Sequence, residues 1–69
     1  MIKIRKTNAQ ADYKRLIEMS DIEFSMFGIA LIQTDMEGKI PAGSTFWAMI
    51  NEVIEIRRKV AAGDTVVYL

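Results

Sequence analysis

A small α+β domain is the fold class this sequence predicts: strand, helix, strand, short strand, helix, strand, with the helices on one sheet face. Three observations predict it. The chain opens on IKIR and closes on DTVVYL, both of strand composition. Two segments repeat apolar residues at helical spacing. Between them lies FSMFGIALI, apolar nearly throughout, followed by the glycine turn TDMEGKI. A second arrangement fits the same text, three helices with the two terminal strands paired.

In IKIR, Ile2 and Ile4 alternate with Lys3 and Arg5, the period of a half-buried strand. Thr7 with Gln10 three residues on is a capping-box pattern. Ala9, Tyr13, Leu16 and Ile17 then share one helical face, which predicts a helix over about residues 8–19.

FSMFGIALI admits two readings. Ser20 and Glu23 could form a second capping box and start a helix. Such a helix would be apolar on every side, with Gly28 costing about 1 kcal/mol in its middle. A strand over about 24–34 sorts better, with Phe27, Ile29 and Leu31 on one face and Met26, Gly28, Ala30 and Ile32 on the other. In TDMEGKI, Gly38 is placed for the positive φ of a short hairpin loop. The strand is therefore the expectation. Lys39 and Ile40 could pair briefly, but Pro41 lacks a ladder donor and confines any such strand to an edge.

The next element is the clearest. Phe46, Trp47, Met49, Ile50, Val53, Ile54, Ile56, Val60 and Ala61 cover half of a helix over about 45–62. Glu52, Glu55, Arg58 and Lys59 cover the other half, and Gly63 stops it. Order and length look like the ferredoxin-like βαββαβ arrangement, from which Pro41 departs because the third strand of that fold is central. No repeat, linker or low-complexity tract divides the chain, so residues 1–69 read as one domain.

Composition excludes much chemistry. With no cysteine and no histidine among 69 residues, disulfides, cysteine zinc sites and histidine- or cysteine-dependent nucleophilic catalysis are out. The acid pairs Asp21/Glu23 and Asp35/Glu37 sit where solvated turns or helix starts place acids anyway. GKIPAGST (38–45) has the glycine spacing and final hydroxyl of a P-loop, but Ser44 stands where the phosphate-binding lysine belongs. The expectation is a protein with no enzymatic activity, no cofactor and no metal. The apolar run is shorter than the ~20 residues that span a bilayer, and its flanks carry acids rather than the bases of a signal peptide. A cytoplasmic protein without a membrane partner is expected.

What remains is contact. A chain this short has little stability margin of its own, yet 51% of it is hydrophobic, including ten isoleucines and five methionines. Helices on one sheet face would leave Met26, Ala30 and Ile32 uncovered, as interfaces are. Trp47 and Arg57 complete the candidate partner surface. Arg57 stands mid-way in the apolar arc of its helix, either with its stem on the core and its head at the rim or as an interface anchor. The sequence thus predicts a protein-interaction domain, a homo-oligomer, acting as an adaptor or as an inhibitor that occludes a larger partner. Small neutral inhibitors of phages and mobile elements have this general profile. The alternative is a nucleic-acid-binding regulator using Lys3, Arg5, Lys6, Lys14, Arg15, Arg58 and Lys59. Against it, nine acids balance nine bases, leaving no net attraction for a polyanion.

Overall fold

The computed structural model describes residues 1–41 and 43–69. They form β1 (Ile2–Ile4), α1 (Gln10–Glu18), α2 (Asp21–Met36), α3 (Thr45–Ala61) and β2 (Val66–Tyr68). The α+β class holds, in the arrangement of three helices with the two terminal strands paired. β1 and β2 run parallel, with Ile2 opposite Val66, Lys3 opposite Val67 and Ile4 opposite Tyr68. A parallel pair needs a crossover between its strands, and here the three helices supply it.

The expected strand over 24–34 is instead the middle of a 16-residue helix, Asp21–Met36. Its ends explain why. The Ser20 hydroxyl accepts from the Glu23 backbone N–H at 3.2 Å, and the Glu23 carboxylate accepts from the Ser20 N–H in return. That closes the capping box and satisfies two donors that a helix start leaves orphaned. At the other end Gly38 has φ +73°. Its N–H donates to the Asp35 carbonyl at 2.9 Å and the Lys39 N–H to the Thr34 carbonyl at 3.2 Å. This is a Schellman stop. The positive φ expected of Gly38 is present, but it ends a helix rather than turning a hairpin. Lys39 and Ile40 take no part in a sheet, so the short third strand is also absent from the observed order.

α3 closes in the same way. Gly63, at φ +108°, donates to the Val60 carbonyl, and Asp64 donates to the Lys59 carbonyl, both at 3.0 Å. The Thr7–Gln10 capping box does not form as expected, because Ala9 caps α1 without a side-chain bond. The Gln10 amide Nε2 instead donates to the carbonyls of Ile4 at 3.3 Å and Leu69 at 3.0 Å, tying together the ends of the two strands.

Leu16 of α1 meets Ile50 and Val53 of α3 in the core, with Val53 fully buried. Tyr13, Ile17, Met19, Phe24, Phe27, Leu31, Phe46 and Met49 pack around it. Ile4 and Ile56 are the other fully enclosed apolar side chains among the described residues. The core is thin. The Cα radius of gyration is 12.7 Å with extents of 37 × 26 × 16 Å, whereas about 11 Å is ordinary for a compact chain of this length.

Candidate functional site

α2 is apolar on both sides, and the helical period divides those sides sharply. Phe24, Phe27 and Leu31 fall at i, i+3 and i+7 and pack inward on the core. Ile22, Met26, Ile29, Ile32 and Met36 lie on the opposite side and are 60–82% exposed. These five span about 120° of the circumference, and Ser25 and Gln33, both exposed, lie within the same arc. From Ile22 to Met36 the stripe runs about 21 Å along the axis. Its apolar area is on the order of 600 Å², the upper end of what a monomer ordinarily leaves in its largest patch.

The residues singled out from the sequence are distributed unequally. Met26 and Ile32 belong to the outward stripe, and exposed Ala30 borders it. They reach the surface by helical rather than strand geometry. Trp47 lies at the start of α3, half-buried, with its ring edge-on to Phe46 at 5.8 Å, and is not part of the α2 stripe.

Arg57 is committed inside the fold. Its side chain is 15% exposed. Nη1 donates to the carbonyls of Leu16 at 3.0 Å, Ile17 at 3.1 Å and Met19 at 2.8 Å. Nη2 pairs with Asp21 at 3.1 Å, and the guanidinium lies 4.2 Å from the centre of the Phe24 ring. One side chain therefore satisfies carbonyls at the end of α1 and holds the first turn of α2 against α3. The expectation of a stem on the core and a head at its edge fits this geometry, with the head held by the α1 carbonyls and the exposed Asp21. Arg57 positions the candidate site rather than belonging to it. Its mid-arc place in an apolar helix was the signal, but no periodicity names three carbonyls as its partners.

The basic residues are spread over β1, the turn after it, α1 and the end of α3. Arg5 and Lys6 follow β1 and lead towards the start of α1, with Lys3 on the strand itself. Arg58 and Lys59 follow Arg57, which sits at the far end of α1. Acids interleave the bases: Arg15 pairs with Asp12 at 3.7 Å and Arg58 with Glu55 at 3.1 Å. The Lys14 ammonium lies 5.5 Å from the Tyr68 ring centre.

Lys3, Arg5, Thr7, Tyr13 and Glu52 line an open cleft of ≈ 360 Å³. Its polar centre is the Tyr13 hydroxyl donating to the Glu52 carboxylate at 2.8 Å. Partial burial raises the Tyr13 pKa above the usual phenol value, and the Glu52 carboxylate raises it further. Both effects keep the phenol protonated, the opposite of what a general base needs. Burial likewise raises the Tyr68 pKa, with the negative Glu18 adding to it. Asp64 is lowered, chiefly by its bond to the Met1 amine and then by the Thr65 N–H.

Of the GKIPAGST loop, position 42 lies outside the described residues. Gly43 has φ +75°, and Ser44 precedes α3 with its hydroxyl making no cap bond. Among the described residues, no three acidic side chains gather to hold a metal ion, and no helix is long and apolar enough to cross a membrane. Set beside protein-family models, curated proteins and solved structures, the chain matches none of them.

Proposed function

We propose that this chain is a non-enzymatic protein-interaction domain whose contact surface is the outward stripe of α2. One observation carries the reading. Ile22, Met26, Ile29, Ile32 and Met36 form a continuous exposed stripe on a helix whose other side packs, partly buried, around the core. Such a stripe contributes nothing to the isolated fold and costs solubility. Burial against another protein would remove that cost at about 25 cal/mol per Å² of apolar surface. The domain would act stoichiometrically, as an adaptor or as an inhibitor that occludes a larger partner.

Two details support a built surface. Arg57 pairs with Asp21 and lies against the Phe24 ring, which ties the N-terminal end of the helix that carries the stripe to α3. The interleaving of acids with the basic groups supports protein, rather than nucleic acid, as the partner.

A photo-crosslinking residue in place of Met26, with Lys3 substituted as control, tests this in native cells. Protein adducts from position 26, absent from position 3 and lost when Ile29→Glu is added, are the expected result. Nuclease-sensitive adducts, or none from position 26, would overturn the reading.

A further inference from the structure

The stripe on α2 has an internal symmetry that points to its occupant. Ile22, Met26, Ile29, Ile32 and Met36 stand at −7, −3, 0, +3 and +7 relative to Ile29. Ser25 and Gln33, the polar residues inside the arc, stand at −4 and +4. In spacing and in polarity, though not in residue identity, the pattern reads the same from either end. A two-fold interface requires a patch complementary to itself, with residue i meeting j and j meeting i.

We infer that the stripe is a homodimer interface in which two α2 helices pack antiparallel, the two-fold axis passing beside Ile29. This rests on the stripe being the contact surface and names a second copy as what covers it. Antiparallel packing about that axis sets Ile29 against Ile29 of the second copy. Ile22 meets Met36, Met26 meets Ile32, and the Ser25 hydroxyl meets the Gln33 amide, which can donate to it or accept from it. Every apolar side chain of the stripe then has an apolar partner, and each polar one a polar partner. Apolar area on the order of 600 Å² from each copy approaches the ~800 Å² per partner of a standard interface. A parallel pairing would lose the Ser25–Gln33 match and align the two helix dipoles unfavourably.

Charge adds a dependence on salt. On the flanks, antiparallel pairing brings Glu23 towards Glu37 of the second copy, and Asp21 towards Asp35. Arg57 already pairs with Asp21, and Lys39 with Glu37 at 2.7 Å. Each like-charge approach therefore contains one compensated acid, and what repulsion remains is screened by salt. Dimerisation accordingly strengthens as salt rises.

Single-cysteine chains test the register cleanly, because the natural chain has no cysteine. Sedimentation of the purified chain should give twice 7.8 kDa at high micromolar concentration, with tighter association at higher salt. Under mild oxidation, Ile29→Cys should crosslink to itself, and Ile22→Cys to Met36→Cys. Ile22→Cys should not crosslink to itself, since its two copies lie about 21 Å apart along the axis. Ile29→Glu should yield a folded monomer by circular dichroism, and Ala30→Asp, on the border, should weaken the dimer in the same direction. A monomer at every concentration and salt would overturn the inference, as would Ile22→Cys joining itself preferentially. If the purified chain is monomeric while position 26 still crosslinks to protein in cells, the contact surface stands and the second copy is excluded as its occupant.

Discussion

α2 and α3 are nearly equal in length and both rich in apolar residues, yet they relate to the core in opposite ways. α3 gathers Ile50, Val53 and Ile56 on one side and buries all three. α2 spreads its apolar residues around the whole circumference and buries none of them fully. In α3 the pattern both forms the helix and tells it where to sit. In α2 the helix is set by its ends, a capping box and a Schellman stop, and its placement by Arg57 reaching across from α3. Periodicity thus identifies a helix that has one wet side. Where both sides are apolar it loses contrast, and capping chemistry becomes the better signal.

Truncating one side chain on each helix should expose that difference most strongly. Ile50→Ala should cost about 2–4 kcal/mol, because its site is enclosed and cannot collapse freely. Ile29→Ala should change the stability of the monomer by less than about 0.5 kcal/mol. Denaturant titration at low protein concentration measures both, and equal losses would mean that the outer side of α2 is covered within the monomer.

The link between the helices is the next to break. Arg57→Ala should cost about 2–3 kcal/mol, since it removes charge-assisted bonds to three carbonyls and leaves them poorly satisfied. Arg57→Lys should recover only part of this, because an ammonium has no planar fork to span the Leu16, Ile17 and Met19 carbonyls together with Asp21. Hydrogen exchange should show α2 opening before α3 in both variants. Uniform loss of protection would mean that Arg57 is not what places α2.

Smallest, and opposite in sign, are two changes on α2 itself. Ser20→Ala should cost about 1 kcal/mol by opening the capping box. Gly28→Ala should add up to about 1 kcal/mol by removing a flexible residue from a helix interior, since an added Cβ there meets no atom within 4 Å. A raised melting temperature for Gly28→Ala checks this, and a lowered one would mean that position 28 is covered by a neighbour.

Much of this fold is legible from the residues alone, where a local rule acts without competition. The α3 pattern, its glycine stop, the helical face of α1 and the strand character of both termini each follow from side chains a few positions apart. The Ser20–Glu23 box and the positive φ of Gly38 were equally local, but they were outweighed by the apolar run between them. A helix apolar on all sides reads as improbable until one side has an inward partner and the other an outward one, and neither partner is written in the run itself. The candidate site follows the same division. Exposure of Met26, Ala30 and Ile32 is expected of a strand face that the helices leave uncovered, and it holds for a different reason, since all three lie on the outer side of a helix. Which neighbours join them was not foreseeable, because a strand would alternate Ile29 away from Met26, while a helix places both on one stripe.

Composition and short-range spacing by themselves determined the α+β class, the extent of α3 with its glycine stop and the absence of histidine and cysteine chemistry, since these depend on residue types and on contacts within a turn or two. Tertiary structure alone decided that the two terminal strands pair in parallel, with Gln10 joining their ends. It also decided that Arg57 turns inward to hold α1 and α2, and that half of an apolar helix is left facing water. Each of these depends on groups dozens of residues apart, such as Arg57 and the Leu16 carbonyl, and contacts at that separation leave no periodic trace in the chain.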